Sequence, residues 1–569
     1  MKRFTLVSVF ALVTALILSA GFAQSTEELT NPAAGDWPTY GRDLEMTRFS
    51  PLDQINSDNV ANLRLAWTVD ADYEGAAGFS PVVYNGVMYL NGPDRVVAVD
   101  AANGNPIWTY LTELHENTGF VENRTRGSVV VFDGKVYDTI ADGRVVALDI
   151  DTGEELWSTQ VGAIEFGEGF SAGPIFADGK IVVGPSGADI GGANGRVLAL
   201  DAENGEVLWT FHIIPQPGEP GFETWDPPES AAWGGGSAWN PGAYDPVSRT
   251  VIYGAGQPVP WENWGIRGGV SDDLYTASKL GIDVDTGQLK WYRQVVPSDE
   301  WDYDQHTTPT VADIEIMGMM QRVVINPTTS GYIEVLDPDT GEYITAHGYN
   351  PEYTVHMGYE DDGTPIIDDS ARFYNPDSDT PGVAVDFMLC PFRWVNWEAG
   401  AFSPATGLYY RPQNNDCWNY TNNGTPPDWA PGEGPLDIDL EQQVDRFEHL
   451  GELKATNVYT GEVVWSFPSP YPMGSAAGLA VTAGNLVFFS HVDRVFRALD
   501  ATTGEVLWQQ IVSAASQSSP ITYMVDGVQY VAVPIGTTSE FTGQTGSPPT
   551  VVGDTVIYAF TLPPMMAME

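Results

Sequence analysis

The sequence of 569 residues is poor in cysteine, histidine and positive charge. No pair among its seven histidines has the spacing of zinc ligands. No Cys-x-x-Cys-His motif occurs, so no covalently bound c-type haem belongs to this chain, and any electrons it releases must pass to another molecule. With 25 Lys and Arg against 76 Asp and Glu, the formal net charge is −51. Such a surface repels nucleic acid and anionic membranes and favours cationic partners.

Long hydrophobic runs are also absent after the N-terminus. Lys2 and Arg3 precede an apolar run over residues 4–18, and small residues then lead to a cleavage site after Ala23. This pattern predicts that residues 1–23 are a cleaved signal peptide. The alternative is an uncleaved anchor, but the run is short for a span of about 20 residues. We therefore expect a periplasmic or secreted protein with no membrane span in the mature chain.

The chain contains only two cysteines, Cys390 and Cys417. In the oxidising compartment that an exported protein enters, an even pair of cysteines predicts one disulfide. The bond would close a loop of moderate length and restrict the unfolded chain.

What is abundant is turn formers and aromatics, with 60 Gly, 41 Pro, 18 Trp, 25 Tyr and 23 Phe. This mixture suits many short strands. A repeat of the form ALDxxxGxxxW confirms a regular spacing, in which an apolar run, a tight Gly turn and a returning Trp follow one another. Its copies lie at residues 98–108, 147–157, 199–209, 281–291, 335–344 (without the Trp), 455–465 and 498–508.

A second hairpin precedes each copy, so the repeating unit has four antiparallel strands, which is typical of a propeller blade. Repeated hairpins in a sandwich would not keep the Trp at one fixed position. A degenerate hairpin at 401–412 raises seven units to eight, and pairing of the two chain ends in one blade would close the ring. The prediction is an all-β, eight-bladed propeller with tryptophan-docking repeats. Its parts are a signal peptide (1–23), a flexible segment (24–35), one domain (36–563) and a tail (564–569).

The segment 298–308 reads SDEWDYDQHTT and places four acids beside two aromatics. If it is extended, Asp302 and Asp304 point to one face. Two such carboxylates repel each other unless a cation or a proton lies between them, and a hard metal ion with oxygen ligands meets that need. The alternative is an acidic surface turn. His306 lies beside these acids, but one such histidine is more often a polar loop residue.

Taken together, the Trp repeats, the DEWDYD segment and GPSGADIGG at 184–192 resemble the quinoprotein alcohol dehydrogenases. The resemblance runs from about residue 36 to the C-terminus. It implies a periplasmic enzyme that holds pyrroloquinoline quinone (PQQ) and Ca²⁺ or a lanthanide ion. It further implies oxidation of a small, primary alcohol to the aldehyde and transfer of electrons to a soluble acceptor such as cytochrome c.

The resemblance also implies roles for individual residues. Asp302 matches the catalytic base of the family. The metal ligands fall on Asp189, Gln257, Asp302 and Asp304, and the disulfide on Cys390 and Cys417. The residues expected to contact the quinone, with Trp239 as its aromatic floor and Arg126 on a carboxylate, are Arg126, Ser171, Ser186, Gly187, Ala188, Ser237, Trp239, Thr329 and Asn396.

Two departures from the family pattern favour a different function. No adjacent cysteine pair is present to cover the quinone, and Thr329 stands where an Arg or Lys is expected near the quinone oxygens. The second hypothesis is therefore a quinone-free propeller that acts as a binding or scaffold protein of the cell envelope. Both hypotheses give the same fold, so the fold alone does not separate them.

Overall fold

A computed structural model describes most of the chain. The described residues are 26–74, 76–116, 118, 124–190, 192–260, 267, 271–372, 386–392, 394–422, 438–443, 445–473, 478–536 and 554–564. The predicted signal peptide and most of the predicted tail lie outside them. Within the described ranges, none of the helices has the length and apolar character needed to cross a lipid bilayer.

The described residues form eight sheets of four or five strands, named sheets 1 to 8 in chain order. Sheet 1 contains Val82–Tyr84, Val87–Gly92, Arg95–Asp100 and Pro106–Leu111. Sheet 2 contains Val130–Phe132, Lys135–Thr139, Arg144–Asp149 and Glu155–Gln160. Sheet 3 contains Ile175–Ala177, Lys180–Val183, Arg196–Asp201 and Val207–His212. Sheet 4 contains Ala243–Asp245, Thr250–Gly254, Ser278–Asp283 and Leu289–Gln294.

The second half of the chain repeats this pattern. Sheet 5 contains Thr310–Ile316, Met319–Pro327, Tyr332–Leu336 and Tyr343–Gly348. Sheet 6 contains Ala401–Ser403, Leu408–Asn414, Gly451–Thr456 and Val463–Ser469. Sheet 7 contains Leu479–Thr482, Leu486–Ser490, Val495–Asp500 and Val506–Ile511, with Phe49–Ser50 added in parallel at its edge. Sheet 8 contains Ile521–Val525, Val528–Ile535, Asp554–Thr561 and Arg64–Glu74.

Smaller elements lie between these sheets. The strands Ala76–Phe79 and Arg124–Gly127 pair in parallel, His356–Tyr359 pairs with Pro365–Ile367, and Trp418–Asn422 lies between Asp386–Leu389 and Ile438–Gln442. The helices are short: Thr26–Thr30 is α-helical, and Val60–Asn62, Ile164–Phe166, Ala188–Ile190, Phe222–Thr224, Pro228–Trp233 and Asp369–Ala371 are 3₁₀ turns.

Sheet 8 joins the two ends of the fold. The early strand Arg64–Glu74 runs antiparallel to Asp554–Thr561, with Trp67 opposite Ala559. A sheet made from both chain ends closes the series of sheets. Successive meanders closed in this way give the all-β, propeller-type fold that the repeats predict.

The repeated tryptophans bridge consecutive sheets. The indole Nε1 of Trp209 in sheet 3 donates to the carbonyl oxygen of Val284 in the turn of sheet 4, at 2.9 Å. Trp108, Trp157, Trp291 and Trp465 make the same contact with the turn of the next sheet. A glycine in that turn packs on the indole, because a β-carbon at Gly287 would lie 2.7 Å from Trp209.

Gly287→Ala is expected to lower the midpoint of chemical unfolding. The residue has a φ of 69° and its missing side chain faces Trp209, so alanine adds both backbone strain and a steric clash. We expect a loss of about 2–4 kcal/mol from the two effects together. The matched control is Gly179→Ala, with a φ of 78° but nothing within 4 Å of the new β-carbon. Equal losses for the two variants would contradict a packing role for the tryptophan.

The predicted disulfide is confirmed. Cys390 and Cys417 are bonded, their Cα atoms are 4.5 Å apart, and both are buried. The bond ties the segment that follows sheet 5 to the strand Trp418–Asn422.

The N-terminal segment differs from the flexible stretch predicted for residues 24–35. Thr26–Thr30 is helical, and Leu29 is fully buried in the same cluster as Tyr40 and Leu44. The Arg42 guanidinium donates to the carbonyl oxygens of Pro32 and Ala33. A single apolar residue and carbonyl oxygens make these contacts, so the composition of the segment did not reveal them.

Candidate active site

The predicted site residues all lie in two kinds of connection. Asp189, Gln257 and Thr329 lie between the second and third strands of sheets 3, 4 and 5, and so do residues 186–188 in sheet 3. The others lie between one sheet and the next, namely Arg126, Ser171, Ser237, Trp239, Asp302, Asp304 and Asn396. In an antiparallel four-stranded meander, both kinds of connection lie at the same end of the strands. The repeat therefore places residues that are far apart in sequence on one face.

The acidic segment is buried, so the alternative of an acidic surface turn is wrong. Asp302 is 7% exposed and Asp304 is 6% exposed. The condition that the segment is extended is not met, because Asp302 has a φ of 66° and no ladder pairs these residues. The rule that residues i and i+2 share a face does not apply to such a backbone.

Asp304 lies at the centre of the site. Its Oδ1 accepts from the backbone N–H of Gln257 at 2.5 Å, and its Oδ2 accepts from the Trp239 indole N–H at 2.8 Å. Asp189 approaches from sheet 3, because a β-carbon at Gly256 would lie 2.8 Å from Asp189 Oδ1 and 3.1 Å from Asp304 Oδ1. The absence of a side chain at Gly256 thus gives the two carboxylates a common space.

Two of the oxygens that meet there face no hydrogen-bond donor. Asp189 Oδ1 is buried without a hydrogen-bond partner. The side-chain oxygen of Gln257 faces the Asp304 carboxylate, an arrangement that needs either a cation or a 180° turn of the amide. Burial, and next the charge of Asp304, raise the pKa of Asp189 well above its usual range. Asp189, Gln257 and Asp304 therefore have the oxygen chemistry of a site for a hard cation.

The three predicted carboxylate ligands, Asp189, Asp302 and Asp304, do not form a compact cluster. Among the described residues, the one group of three His, Cys, Asp or Glu ligand atoms within 4.8 Å of one another is Glu352, Cys390 and Cys417. Two of its members form the disulfide, so it is not a metal site. It follows that Asp189, Asp302 and Asp304 do not all come within that distance of each other.

Trp239 connects the acidic cluster to a cation. The Arg126 guanidinium carbon lies 4.5 Å from the Trp239 ring centroid and 4.5 Å from that of Trp397. The imidazole of His306 stacks on Trp239 with 3.7 Å between the ring centroids. A planar ligand on the face that Arg126 covers would take the place of the guanidinium, which is at the end of a long and flexible side chain.

Serine hydroxyl groups lie close to the backbone of Trp239. Ser171 and Ser186 share a hydrogen bond of 2.7 Å, and Ser171 Oγ donates to the carbonyl oxygen of Trp239. The backbone N–H of Ala188 donates to Ser237 Oγ at 3.1 Å, next to Gly187 with a φ of 109°. An aromatic face, a guanidinium and serine hydroxyls form one cluster, which fits an aromatic polycarboxylate.

The remaining predicted residues contact the acidic segment from the next two sheets. Thr329 Oγ1 donates to the backbone oxygen of Asp304 at 2.8 Å. Asn396 Oδ1 lies 3.0 Å from His306 Nε2. Burial lowers the pKa of His306, which favours the neutral imidazole. His306 is thus part of the cluster, through its contacts with Trp239 and Asn396.

Sequence reasoning missed Lys279 and Asp299, which are both fully buried beside the site. A signal for Lys279 was present in the repeat. It lies two residues before Gly281, and the equivalent positions in other copies are apolar: Val96, Val145, Val197, Ile333, Leu453 and Phe496. A lysine at a position that the repeat keeps apolar indicates a specific role.

The comparisons with known proteins identify a family. The family described as "PQQ: Glucose/ethanol/alcohol dehydrogenase, beta-propeller domain" matches residues 37–347 and 437–531. The chain is 35% identical over 531 residues to the "Quinohemoprotein alcohol dehydrogenase" of Comamonas testosteroni, covering 88% of this chain and 72% of that protein.

Two further relatives cover more of their own length. The "Quinoprotein alcohol dehydrogenase PedH" of Pseudomonas putida is 30% identical over 551 residues, which are 92% of this chain and 91% of that protein. A solved "Europium-containing methanol dehydrogenase" superposes with a TM-score of 0.84 at 27% identity, covering 94% of this chain and 100% of the other.

Proposed function

Because the chain belongs to the family of PQQ-dependent glucose, ethanol and alcohol dehydrogenases, we propose that it is an exported enzyme that oxidises a small primary alcohol to the aldehyde. Its relatives are oxidoreductases of the quinoprotein alcohol dehydrogenase type. PQQ and Ca²⁺ or a lanthanide ion would be its cofactors, and a soluble carrier such as cytochrome c would take the electrons. The relative named as a europium-containing methanol dehydrogenase supports a metal ion here.

One observation carries this proposal. Asp189 Oδ1, which has no hydrogen-bond partner, converges with Asp304 Oδ1 and the Gln257 amide oxygen beside the Trp239 indole and the Arg126 guanidinium. Three converging acceptors in a buried place are unfavourable unless a cation binds them. A scaffold protein does not require such acceptors next to the Trp239 ring and the Arg126 guanidinium.

Each group then has a role. When bound, PQQ supplies the two-electron acceptor for the hydride of the alcohol. Trp239 would pack against its plane, and Arg126, Ser171 and Ser186 would meet its carboxylates. Asp189, Gln257, Asp302 and Asp304 would hold the metal ion, while Asp302 accepts the hydroxyl proton of the substrate.

The other predicted contacts complete this proposed site. Ser237 fixes the turn at Ala188 through the hydrogen bond to its N–H, and Gly187 lets the backbone turn there with positive φ. Thr329 and Asn396 reach the acidic segment from sheets 5 and 6. We further propose that sheets 1 to 8 are eight blades joined by their tryptophans, that residues 36–563 are one domain, and that residues 1–23 direct export.

The acidic surface supports a cationic electron acceptor. A net charge of −51 attracts a positively charged carrier at long range, and salt screens that attraction. A basic cytochrome c fits this better than an acidic one.

A quinone-free binding protein stays the second candidate because of two observations. Arg126 already lies over both Trp239 and Trp397, and Thr329 supplies a hydroxyl rather than a cation. In this alternative the guanidinium itself is the permanent occupant of the aromatic cleft.

The experiment adds PQQ with either Ca²⁺ or La³⁺ to the purified mature protein. We expect quinone absorbance that stays with the protein through gel filtration, and dye reduction that depends on added alcohol. Arg126→Lys serves as a matched variant, since it keeps the charge but loses the bidentate geometry, and should retain less quinone. If neither ion gives retained absorbance, the dehydrogenase proposal fails and the binding-protein alternative stands.

A further inference from the structure

The backbone that carries Asp302 and Asp304 is not paired into any of the sheets. Buried side chains of opposite charge hold it instead. Resting on the function proposed above, we propose that Asp299 and Lys279 are positioning residues, which fix the two ends of the segment 299–307 and thereby aim Asp302 and Asp304 into the site.

Asp299 holds the start of the segment. Its Oδ1 accepts from the N–H of Trp301 at 2.9 Å, and its Oδ2 accepts from the N–H of Tyr303 at 2.7 Å. These two amides flank Asp302, so one carboxylate spans the residue proposed as the base. The Arg267 guanidinium donates to the backbone oxygen of Asp299 at 2.9 Å and fixes that residue in turn.

The hydrogen bonds of Asp299 are needed because Asp302 adopts an unfavourable conformation. A φ of 66° is uncommon for a residue with a β-carbon and persists only when surrounding contacts impose it. The side chains on both sides of it are anchored and fully buried. The Trp301 indole N–H donates to the oxygen of Ala371 at 2.9 Å, and the Tyr303 hydroxyl donates to the oxygen of Pro391 at 2.6 Å.

Lys279 holds the end of the segment. Its Nζ is buried on the third strand of sheet 4 and donates to the backbone oxygens of Gln305 at 2.7 Å and Thr307 at 2.6 Å. Gly254, its partner across the sheet, makes room for this contact, since a β-carbon there would lie 1.9 Å from the Gln305 oxygen. The segment thus lies directly on sheet 4, under the lysine.

The backbone groups of this segment are satisfied in alternation. Asp299 takes the N–H groups of residues 301 and 303, Thr329 donates to the oxygen of 304, and Lys279 donates to the oxygens of 305 and 307. The N–H of Gln305 donates to the oxygen of Ala255. Buried backbone groups must be paired, so these contacts select one path for the chain. Fixed carboxylates are what a reaction that depends on orientation requires.

The test compares two pairs of variants. Asp299→Ala removes the contacts with both amides. Its control is Asp283→Ala, because Asp283 also accepts from two amides, through its Oδ1, but in the hairpin turn of sheet 4 between the third and fourth strands. Lys279→Met removes the buried donor, and Lys290→Met is its control, because Lys290 donates to the oxygen of Ser248. Asp299→Asn keeps one acceptor oxygen and serves as the conservative variant.

The first readout is amide hydrogen exchange of the protein without quinone. We expect the amides of residues 301–305 to exchange at least about tenfold faster in Asp299→Ala and Lys279→Met, with strand Thr310–Ile316 unchanged. The controls should leave residues 301–305 as in the parent. Unchanged exchange at 301–305 would overturn the proposal. This readout does not depend on turnover, so it tests the positioning role of Asp299 and Lys279 even if the dehydrogenase proposal fails.

The second readout is the kinetics of the loaded enzyme. We expect kcat to fall about 100-fold in Asp299→Ala with KM nearly unchanged, because small misplacement of a reacting group has effects of that size. Asp299→Asn should recover part of the loss. A purely structural role predicts that Asp299→Ala loses thermal stability without this separation of kcat from KM, and that outcome would also overturn the proposal.

Discussion

Asp302→Asn is expected to lower kcat by about 10³-fold or more, within the range that loss of a general base produces, while quinone and metal remain bound. Asparagine has nearly the same shape and keeps an oxygen for the metal, but it cannot accept the hydroxyl proton of an alcohol. The residue is almost fully buried and its neighbours are anchored on both sides, so the substituted side chain should keep its place.

The measurement is alcohol-dependent dye reduction at matched quinone content, read from the absorbance of the loaded protein. Asp138→Asn is a suitable control, since burial raises the pKa of that carboxyl well above its usual range and an amide mimics its neutral form. It lies in a strand of sheet 2 and contacts Asn91. Near-parental kcat in Asp302→Asn would show that another group accepts the proton.

Asp189→Asn is expected to weaken metal binding by at least about 100-fold, because carboxylate charge sets the affinity of oxygen sites for hard cations. Asp189 Oδ1 has no hydrogen-bond partner and faces the same space as Asp304 Oδ1. In the protein without metal, the substitution removes an unfavourable pair of acids. The metal-free variant should therefore be at least as stable as the metal-free parent, while the parent alone is stabilised by added metal.

Thermal unfolding with increasing Ca²⁺ or La³⁺ measures both the stability of the metal-free variant and the stabilisation of the parent by metal. For the parent, metal at about 100 times its dissociation constant should add about 2.7 kcal/mol, and the variant should show little of this at the same concentration. Asp149→Asn is a control, since Asp149 accepts from amides in a hairpin turn of sheet 2. A metal response in Asp189→Asn equal to that of the parent would remove Asp189 from the ligand set.

Much of the site could be predicted because the repeat shows where each connection between strands lies. Once the unit of four strands is recognised, Asp189, Gln257 and Asp302 fall between strands or between sheets, and those positions share one face. The disulfide followed from the two cysteines. The conformation of Asp302 could not be predicted, because a positive φ at an aspartate results from contacts that the local sequence does not encode.

Asp299 and Lys279 show where the limit lies. Asp299 counted only as one more acid in a crowded stretch, and only the fold shows that its carboxylate accepts from the amides of Trp301 and Tyr303. Lys279 departs from the apolar pattern of its repeat position, which marks it as unusual but does not say what it contacts. The short helix around Leu29 was missed for a similar reason, since one buried side chain leaves no periodic pattern.

The sequence by itself determined the all-β repeat, the disulfide and the family, because each of these depends on residue types at fixed spacing. Only the tertiary structure decided that the acidic stretch is buried, that Gly256 lets Asp189 and Asp304 share a space, and that Arg126 covers Trp239. These depend on side chains that meet across sheets far apart in the chain. Burial and close approach set the electrostatics there, and neither quantity has a local signature.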